Sequence, residues 1–419
     1  MKIHRLWILL LLMSCVTVSV SGCSLYQAKK DIRQLERTVE LLGEVIVEDA
    51  DKPVGIVLLR EEAGKKTVRN YFIRYGSGPF RFVVASGPVY LFAFEDENED
   101  QEYDAGEPAS WYGGTAPKEI KTVEGEKVEG LLIKLFRKLP EDTDALVRPK
   151  ERANDTIRTL GQVRVSRGEV VGLDEDRFTE EKGREGLFTP VQSALLNGYG
   201  IFFLEPYDPK KVPVLFVHGA GGCAQDFRVL VEHLDRTRFQ PWFYQYPSGL
   251  RLNLSSHEML QGLTELYAKY RFERIAIVAH SMGGLVSRGA INAMSDGVSQ
   301  HPLRLFVSIA TPWDGVRSAE WGVKHSPVVI PVWMDVAPRS PFLKKLFEKP
   351  LSPSIAYHLL FGVIGGNGTD GSIPLESAIS LRAQGEAERI YAFPEDHMSI
   401  LRSASVIERL NGVLRQIAW

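Results

Sequence analysis

A serine at position 281 stands between a predicted buried strand and a predicted helix. The preceding run, 274–279, is apolar and rich in β-branched residues, which is typical of a strand buried in a parallel sheet. Small residues two places before and two places after the serine, Ala279 and Gly283, suit a tight turn in which the backbone folds back on itself. Such a turn would point the hydroxyl outward, as a nucleophile requires. The alternative is a surface serine that follows a core strand.

A serine hydroxyl needs a base to take its proton and an acid to orient that base. Of the four histidines that follow Ser281, only His397 stands in a loop between a late predicted strand and the C-terminal helix. We therefore predict His397 as the general base, the alternative being a surface or helix-capping histidine. Asp370 follows another apolar strand, at the sheet edge where such groups collect, and is the predicted acid. Asp314 is the second candidate, and an ordinary turn aspartate is the alternative for Asp370.

Three separate segments resemble parts of the α/β-hydrolase lipases and esterases. The turn from Ala279 to Gly283 resembles their G-x-S-x-G nucleophile elbow, with alanine in the first place. Residues 370–374 resemble their Asp-Gly-x-x-Pro acid loop, and residues 218–222, His-Gly-Ala-Gly-Gly, resemble their oxyanion loop. The resemblance covers about residues 157–419 and implies a Ser-His-Asp triad that works through an acyl-enzyme.

The resemblance also implies an oxyanion hole made by the backbone amides of Ala220 and Met282. Preorganised amides of this kind contribute about 2.7–4 kcal/mol each to the stability of a developing oxyanion. His218 and His280 are then expected to shape the loop and the elbow rather than to act as bases. The glycine-rich loop lacks the Lys-Ser/Thr of a P-loop and the G-x-G-x-x-G spacing, so we expect no nucleotide.

The pattern of apolar runs along the chain predicts two structural parts. Residues 157–419 alternate apolar strands with helices, which predicts an α/β fold: a mostly parallel sheet with flanking helices. Residues 52–138 contain short apolar or alternating runs separated by Gly and Pro, which predicts a small all-β sandwich before it. Residues 139–156 are the predicted linker. An apolar segment at about 316–353 is the predicted cap, which suits a hydrophobic substrate; packing on the sheet is the alternative.

The first residues predict export. Lys2 and Arg5 precede an apolar stretch, 6–13, which indicates a signal peptide over residues 1–22. Its end resembles the bacterial lipobox, which implies that Cys23 becomes the lipidated first residue of the mature protein. An uncleaved signal anchor is the alternative.

The residue after the cysteine, Ser24, implies by the same resemblance the outer membrane of the cell envelope, facing the periplasm or the exterior. Residues 23–51 are predicted to hold the lipid anchor and one amphipathic helix over about 27–46. The periodicity that predicts this helix comes from Ile32, Leu35, Val39 and Leu42.

An acidic loop in the predicted sandwich resembles a calcium loop. Oxygen ligands fall at the EF-hand positions 1, 3, 5, 7, 9 and 12, supplied by Asp96, Asn98, Asp100, the carbonyl of Glu102, Asp104 and Glu107. Gln101 replaces the usual glycine, and a strand precedes the loop instead of a helix. A structural Ca²⁺ is therefore the prediction, a solvated acidic turn is the alternative, and no cofactor is expected for catalysis.

The charge and the cysteine content of the chain argue against nucleic-acid binding and against a reactive cysteine. The formal net charge is −3, and no basic stripe with interleaved aromatics occurs, so nucleic acid is not an expected partner. Cys223 is the one cysteine in the predicted folded body and is expected to be an inert thiol. The sequence thus predicts a membrane-anchored serine hydrolase of carboxylic esters, acting on an ester or lipid-like substrate. The alternatives are an acyltransferase, thioesterase or amidase with the same triad, and a non-enzymatic envelope-assembly lipoprotein.

Overall fold

The computed structural model describes residues 22–48, 52–104, 106–136, 157–160, 163–294, 302–366 and 368–416. The predicted signal peptide, except for Gly22, and the whole predicted linker 139–156 lie outside the described residues. Within those ranges, no helix combines the length and the apolar character needed to cross a bilayer.

Within the described residues, the N-terminal part begins with helix α1 (Gly22–Glu36), and seven strands in two sheets follow it. The strands are β1 (Val39–Ile46), β2 (Pro53–Glu62), β3 (Lys65–Tyr75), β4 (Gly78–Val84), β5 (Tyr90–Glu95), β6 (Ala109–Trp111) and β7 (Lys127–Lys134). One sheet has the order β4-β1-β7 and the other β3-β2-β5-β6. Side chains of both sheets, including Val39, Ile56 and Phe80, form one buried core between them. The predicted small all-β sandwich is confirmed.

The predicted helix over 27–46 is wrong in its second half. Helix α1 ends at Glu36, and strand β1 pairs antiparallel with β4 and parallel with β7. Val39, Leu41 and Val45 are fully buried and stand at even spacings, so a strand turns all three into the sandwich core. The same apolar residues fit helical spacing, and the tertiary demand for a central strand decides between the two.

The C-terminal part is built on a nine-stranded sheet with the order β16-β15-β14-β13-β11-β12-β10-β9-β8. Neighbouring strands are parallel except for β10 against β12 and β8 against β9. The strands are β8 (Ile157–Leu160), β9 (Val163–Val170), β10 (Tyr199–Phe203), β11 (Val212–Val217), β12 (Phe239–Gln245), β13 (Ile275–His280), β14 (Leu303–Ile309), β15 (Ala356–Gly362) and β16 (Arg389–Phe393).

Helices cover both faces of this sheet. They are α2 (Glu180–Phe188), α3 (Pro190–Asn197), α4 (Arg228–Glu232), α5 (Leu252–Tyr270), α6 (Met282–Met294), α7 (Arg317–His325), α8 (Pro331–Val336), α9 (Pro341–Lys345), α10 (Leu375–Ala378), α11 (Leu381–Glu386) and α12 (Ala404–Gln416). On β13, Ile277 packs with the core of α5 and α6, whereas Val278 packs with the core of α12. Burial on both faces explains why this strand is a continuous apolar run. The predicted fold class, an α/β-hydrolase sheet preceded by an all-β sandwich, is confirmed.

The predicted cap segment, 316–353, consists of three short helices, α7 to α9. Most of its apolar side chains, such as Val332 and Leu343, belong to the same buried core as α5 and α6. Trp321 and Met334 remain exposed. The segment therefore packs mainly on the body, and a role as a cover for the substrate stays a prediction.

The acidic loop lies between β5 and β6, and its carboxylates bind backbone amides of the loop itself. Asp96 accepts the amides of Asp100 at 3.0 Å and Gln101 at 2.8 Å, and Glu107 accepts those of Glu97 at 2.8 Å and Asp104 at 2.9 Å. Within the described residues, no three His, Cys, Asp or Glu side chains are grouped as metal ligands. Calcium binding stays a prediction.

Candidate active site

Ser281 lies on the sharp turn between β13 and α6. Its φ is +53°, a left-handed conformation that is strained for a residue with a side chain. Its amide donates to the carbonyl of Ile309 on the neighbouring strand at 2.8 Å, which fixes the turn to the sheet. A Cβ on Gly283 would lie 2.6 Å from the carbonyl oxygen of His218, so only glycine fits there. The predicted requirement for small residues around the serine thus has a defined steric cause.

The structure brings Ser281, His397 and Asp370 into one hydrogen-bonded row. His397 Nε2 lies 3.0 Å from Ser281 Oγ, and His397 Nδ1 lies 2.7 Å from Asp370 Oδ2. The three residues follow β13, β16 and β15, whose carboxyl ends meet at one edge of the sheet. The serine, base and acid predicted from the sequence therefore occupy one site.

Asp370 is held as an ionised, oriented acceptor. Its side chain is 2% exposed, and its second oxygen, Oδ1, accepts the amides of Ser372 at 2.9 Å and Ile373 at 2.6 Å. Burial alone would raise the pKa of Asp370, but the hydrogen bond and charge of His397, together with these amides, hold the pKa below its usual value. The carboxylate consequently keeps the Nδ1 proton on His397 and leaves Nε2 free to accept a proton from serine.

His280 fixes the loop that carries the base. Its Nε2–H donates to the carbonyl of His397 at 2.9 Å, and the two rings lie 4.7 Å apart. Burial, and then the neighbouring His397, lowers the pKa of His280 to about 3, so the imidazole stays neutral. The sequence predicts a structural role for this residue in the elbow, and the structure adds its contact with the His397 loop. In the sequence, the one indication of this contact is that His280 directly precedes Ser281.

The oxyanion loop follows β11 and lies directly against the serine. A Cβ on Gly219 would stand 2.7 Å from the Cβ of Ser281. His218 Nδ1–H donates to the carbonyl of Gly219 at 2.9 Å, while its Nε2 accepts the amide of Tyr246 at 3.2 Å. Burial lowers the pKa of His218 to about 4, which keeps the ring neutral, and the two hydrogen bonds fix its tautomer. His218 therefore shapes the loop and does not reach the serine as a base.

The two predicted oxyanion donors lie on either side of this contact. Ala220 follows Gly219 in the loop, and Met282 is the first residue of α6. In the part of the chain that the structure describes, neither amide donates a hydrogen bond, whereas the amide of Gly221 is already bound to Ser248 Oγ at 2.9 Å. Both amides are thus available to an oxygen that develops charge beside Ser281.

Sequence reasoning missed the helix that supports the oxyanion loop. A Cβ on Gly183 of α2 would lie 2.6 Å from the carbonyl oxygens of Gly221 and Gly222, so the helix packs directly on the loop. The amide of Gly249 donates to the carbonyl of Gly186 at 2.9 Å, which joins α2 to the loop containing Ser248. Two glycines three residues apart inside a helix indicate a close backbone approach, and this pattern was the available signal.

Asp314, Asp335 and Cys223 have other partners. Asp314, the second candidate acid, accepts a hydrogen bond from Arg382 at 2.6 Å. Asp335 binds Arg251 and the amide of Leu252, where it supports the start of α5. Burial, and then Asp226, raises the pKa of the Cys223 thiol to about 12, which fits the predicted inert role.

Known proteins resemble parts of this chain. The family model described as "Putative serine esterase (DUF676)" matches residues 251–337, a segment that includes Ser281 but neither Asp370 nor His397. None of the curated proteins matches the chain.

Solved structures share part of the chain's fold. A Bacillus licheniformis lipase, BlEst2 in mature form, is 19% identical over 51% of this chain and 97% of its own, with a TM-score of 0.41. The product of the gene lin2722 from Listeria innocua is 17% identical over 50% of this chain and 96% of its own, with a TM-score of 0.40. A thermophilic esterase from Thermogutta terrifontis is 17% identical over 50% of this chain and 91% of its own, with a TM-score of 0.33. Similarity at this level does not define an activity or a substrate.

Proposed function

We propose that the protein hydrolyses carboxylic esters through an acyl-enzyme on Ser281. The observation that carries the proposal is the pair of hydrogen bonds made by His397, 3.0 Å to Ser281 and 2.7 Å to Asp370. A histidine so placed can remove the serine proton and is held in the one tautomer that allows it. The match of residues 251–337 to a serine esterase model agrees with the proposal.

The reaction follows from the positions of these groups. Ser281 Oγ attacks the ester carbonyl while His397 Nε2 takes its proton, and the amides of Ala220 and Met282 bind the oxyanion. His397 then returns the proton to the leaving alcohol, so the C–O bond breaks and the acyl-enzyme remains. Water, activated by His397, attacks the acyl group and releases the acid and free Ser281.

A direct test compares the parent with Ser281→Ala on p-nitrophenyl butyrate in solution. We expect the variant to lose at least about a thousandfold in kcat, because the nucleophile is gone and only binding and oxyanion contacts remain. Circular dichroism and the melting temperature should match those of the parent. A folded variant that hydrolyses the ester as fast as the parent refutes the proposal.

Acyl transfer is the alternative that uses the same groups, because an alcohol or amine can replace water in the second step. Thioesters and amides would form the same acyl-enzyme. Mass spectrometry of products formed with and without added glycerol or ethanolamine separates transfer from hydrolysis. A non-enzymatic envelope-assembly lipoprotein is the remaining alternative, and it predicts no turnover of any acyl substrate.

We also propose that the protein is anchored in the bacterial cell envelope through lipidated Cys23. The basic and apolar residues before it and the lipobox-like end of that segment support the anchor. Two or more acyl chains would hold the protein stably, whereas one would not. Metabolic labelling with alkyne-palmitate should mark the parent and leave Cys23→Ser unlabelled; equal labelling of both refutes the anchor.

A further inference from the structure

Large apolar side chains are exposed in a groove lined by residues of α1, α2 and α3 and at the adjoining start of α1. Phe188 on α2 and Leu196 on α3 line the groove, which has a volume of about 600 Å³, and Gln27 of α1 lines it from the other side. Leu25 and Tyr26 precede Gln27 on α1. The exposed fractions of the four apolar residues are 39% for Leu25, 70% for Tyr26, 44% for Phe188 and 67% for Leu196. We call these four residues the anchor face.

Helix α1 is fixed to this groove by hydrogen bonds. The carboxylate of Asp31 accepts the amides of Val191 at 2.8 Å and Gln192 at 2.6 Å, the first free amides of α3. Thr189, the N-cap residue of α3, makes no side-chain cap of its own, so Asp31 caps the helix from a distant part of the chain. Gln27 Nε2 adds a bond to the side chain of Gln192 at 2.6 Å. Helix α1 is therefore part of the folded body and not a loose tether.

The proposed lipid attachment point lies in the first turn of the same helix. Cys23 precedes Gln27 by four residues, which corresponds to a rise of about 6 Å along the helix. An anchor at this position of the chain would therefore start about one helical turn before Gln27, which lines the groove.

Basic residues on α1 complement a lipid surface. Lys29, Lys30 and Arg33 are exposed, and Lys29 and Arg33 lie one and two turns after Leu25 on the same side of the helix. An apolar edge followed by exposed cations is typical of helices that lie on anionic lipid. The α2 wall of the groove carries three glutamates, Glu180, Glu181 and Glu185, beside Arg184, so the cations offered to an anionic lipid are mainly those of α1.

The anchor face is connected to the candidate active site through α2. The side chain of Leu187 lies close to Gly221 of the oxyanion loop, and the next residue, Phe188, belongs to the anchor face. Gly183 packs on the same loop from one turn earlier. One helix thus borders both the groove and the loop that lies against Ser281.

We propose that the anchor face lies on the surface of the bilayer that holds Cys23, and that Ser281 acts on an ester-bearing lipid of that bilayer. The inference rests on the proposed hydrolase activity and lipid anchor and adds the substrate class and its route. The partner is a lipid surface with anionic headgroups, recognised by apolar insertion and by the cations of α1.

The test uses the full chain with the double substitution Phe188→Ser and Leu196→Ser. The matched control is Leu381→Ser on α11, which removes an exposed leucine, 84% exposed, from a helix outside the anchor face. Each protein is assayed on p-nitrophenyl acetate in solution and on phosphatidylglycerol in phosphatidylethanolamine vesicles. Vesicle flotation of each protein in a Cys23→Ser background measures the contribution of the face without acyl chains.

We expect the double variant to lose at least about tenfold in hydrolysis of vesicle lipid and in flotation, because two large apolar side chains no longer insert. Its rate on p-nitrophenyl acetate should stay within about twofold of the parent, and the control should retain both activities. Equal vesicle rates and flotation for the double variant and the control overturn the inference while the proposed function stands. If the parent hydrolyses neither ester, the proposed function fails first. A parent dimer that the double variant loses, with vesicle binding unchanged, would assign the face to a second copy instead.

Discussion

Replacing Asp370 by asparagine tests how the acid controls the base. Oδ1 of Asp370 accepts two amides, from Ser372 and Ile373, and only the carbonyl oxygen of an asparagine could keep those bonds. The amide NH₂ would then face His397 Nδ1, which must accept a hydrogen bond instead of donating one. The imidazole would carry its proton on Nε2, toward Ser281, and could not take the serine proton.

The magnitude follows from this change of tautomer. In a Ser-His-Asp triad the same substitution lowers kcat by about 10⁴-fold, which corresponds to about 5 kcal/mol of transition-state stabilisation. We expect a loss of about three to four orders of magnitude in kcat on p-nitrophenyl butyrate, with little change in KM. Nitrogen-15 NMR of the histidine should show the proton moved from Nδ1 to Nε2.

Asp314→Asn is the matched control, because Asp314 also follows a strand of the sheet but binds Arg382. Its kcat should stay within about twofold of the parent. A kcat within tenfold of the parent for Asp370→Asn, or an equal loss for Asp314→Asn, would refute the reasoning.

Three further predictions concern positioning, pH and the acidic loop. His280→Ala should lower kcat about tenfold by freeing the His397 loop, while His280→Gln, which keeps an N–H donor, should recover most of it; equal losses would contradict the positioning role. Burial lowers the pKa of His218 to about 4 and that of His280 to about 3, and it lowers the pKa of His257, a residue of α5 whose ring stacks on Phe72, to about 4. The stability that these neutral imidazoles contribute is therefore present above pH 6.5 and is lost as the pH falls. Denaturant titrations should show the free energy of unfolding falling by about 2 kcal/mol per buried histidine between pH 6.5 and 5. His257→Phe should make this fall smaller. A free energy of unfolding that does not change with pH in this range would contradict the prediction. Added Ca²⁺ should raise the melting temperature by several degrees and Glu107→Gln should abolish the rise, whereas no response to Ca²⁺ or chelator favours a plain acidic turn.

The sequence predicts the site better than it predicts the framework around it. Ser281, Asp370 and His397 each follow an apolar strand, and a parallel sheet brings the carboxyl ends of such strands to one edge. A nucleophile, a base and an acid are needed for the hydrogen-bonded row, and this requirement restricts which of the side chains at that edge can form it. The order of strands and residue types along the sequence is therefore enough to predict that these three side chains are neighbours.

The N-terminal segment shows where pattern reasoning fails. Residues 39–46 carry apolar side chains at spacings that suit both a helix and a strand, so periodicity alone does not decide. Pairing of β1 with both β4 and β7 decides for the strand, and these contacts lie about 40 and 90 residues away along the sequence.

Contacts between distant segments were equally beyond the sequence. Nothing in the pattern around Asp31 indicates that its carboxylate caps helix α3, because the two segments are separated by the whole sandwich. Helix α2 is short and polar, so its apolar face gives a weak signal. The close packing of the oxyanion loop on α2 explains Gly183, but that contact is visible only in the structure.

The central claim is that Ser281 is a nucleophile activated by His397, and covalent labelling tests it most directly. The parent is incubated with a fluorophosphonate, and the adduct is located by peptide mass spectrometry. The account predicts one adduct on the peptide containing Ser281, no adduct in Ser281→Ala, and slow labelling in His397→Ala. An adduct on another residue, or unlabelled protein that still hydrolyses esters, would contradict it.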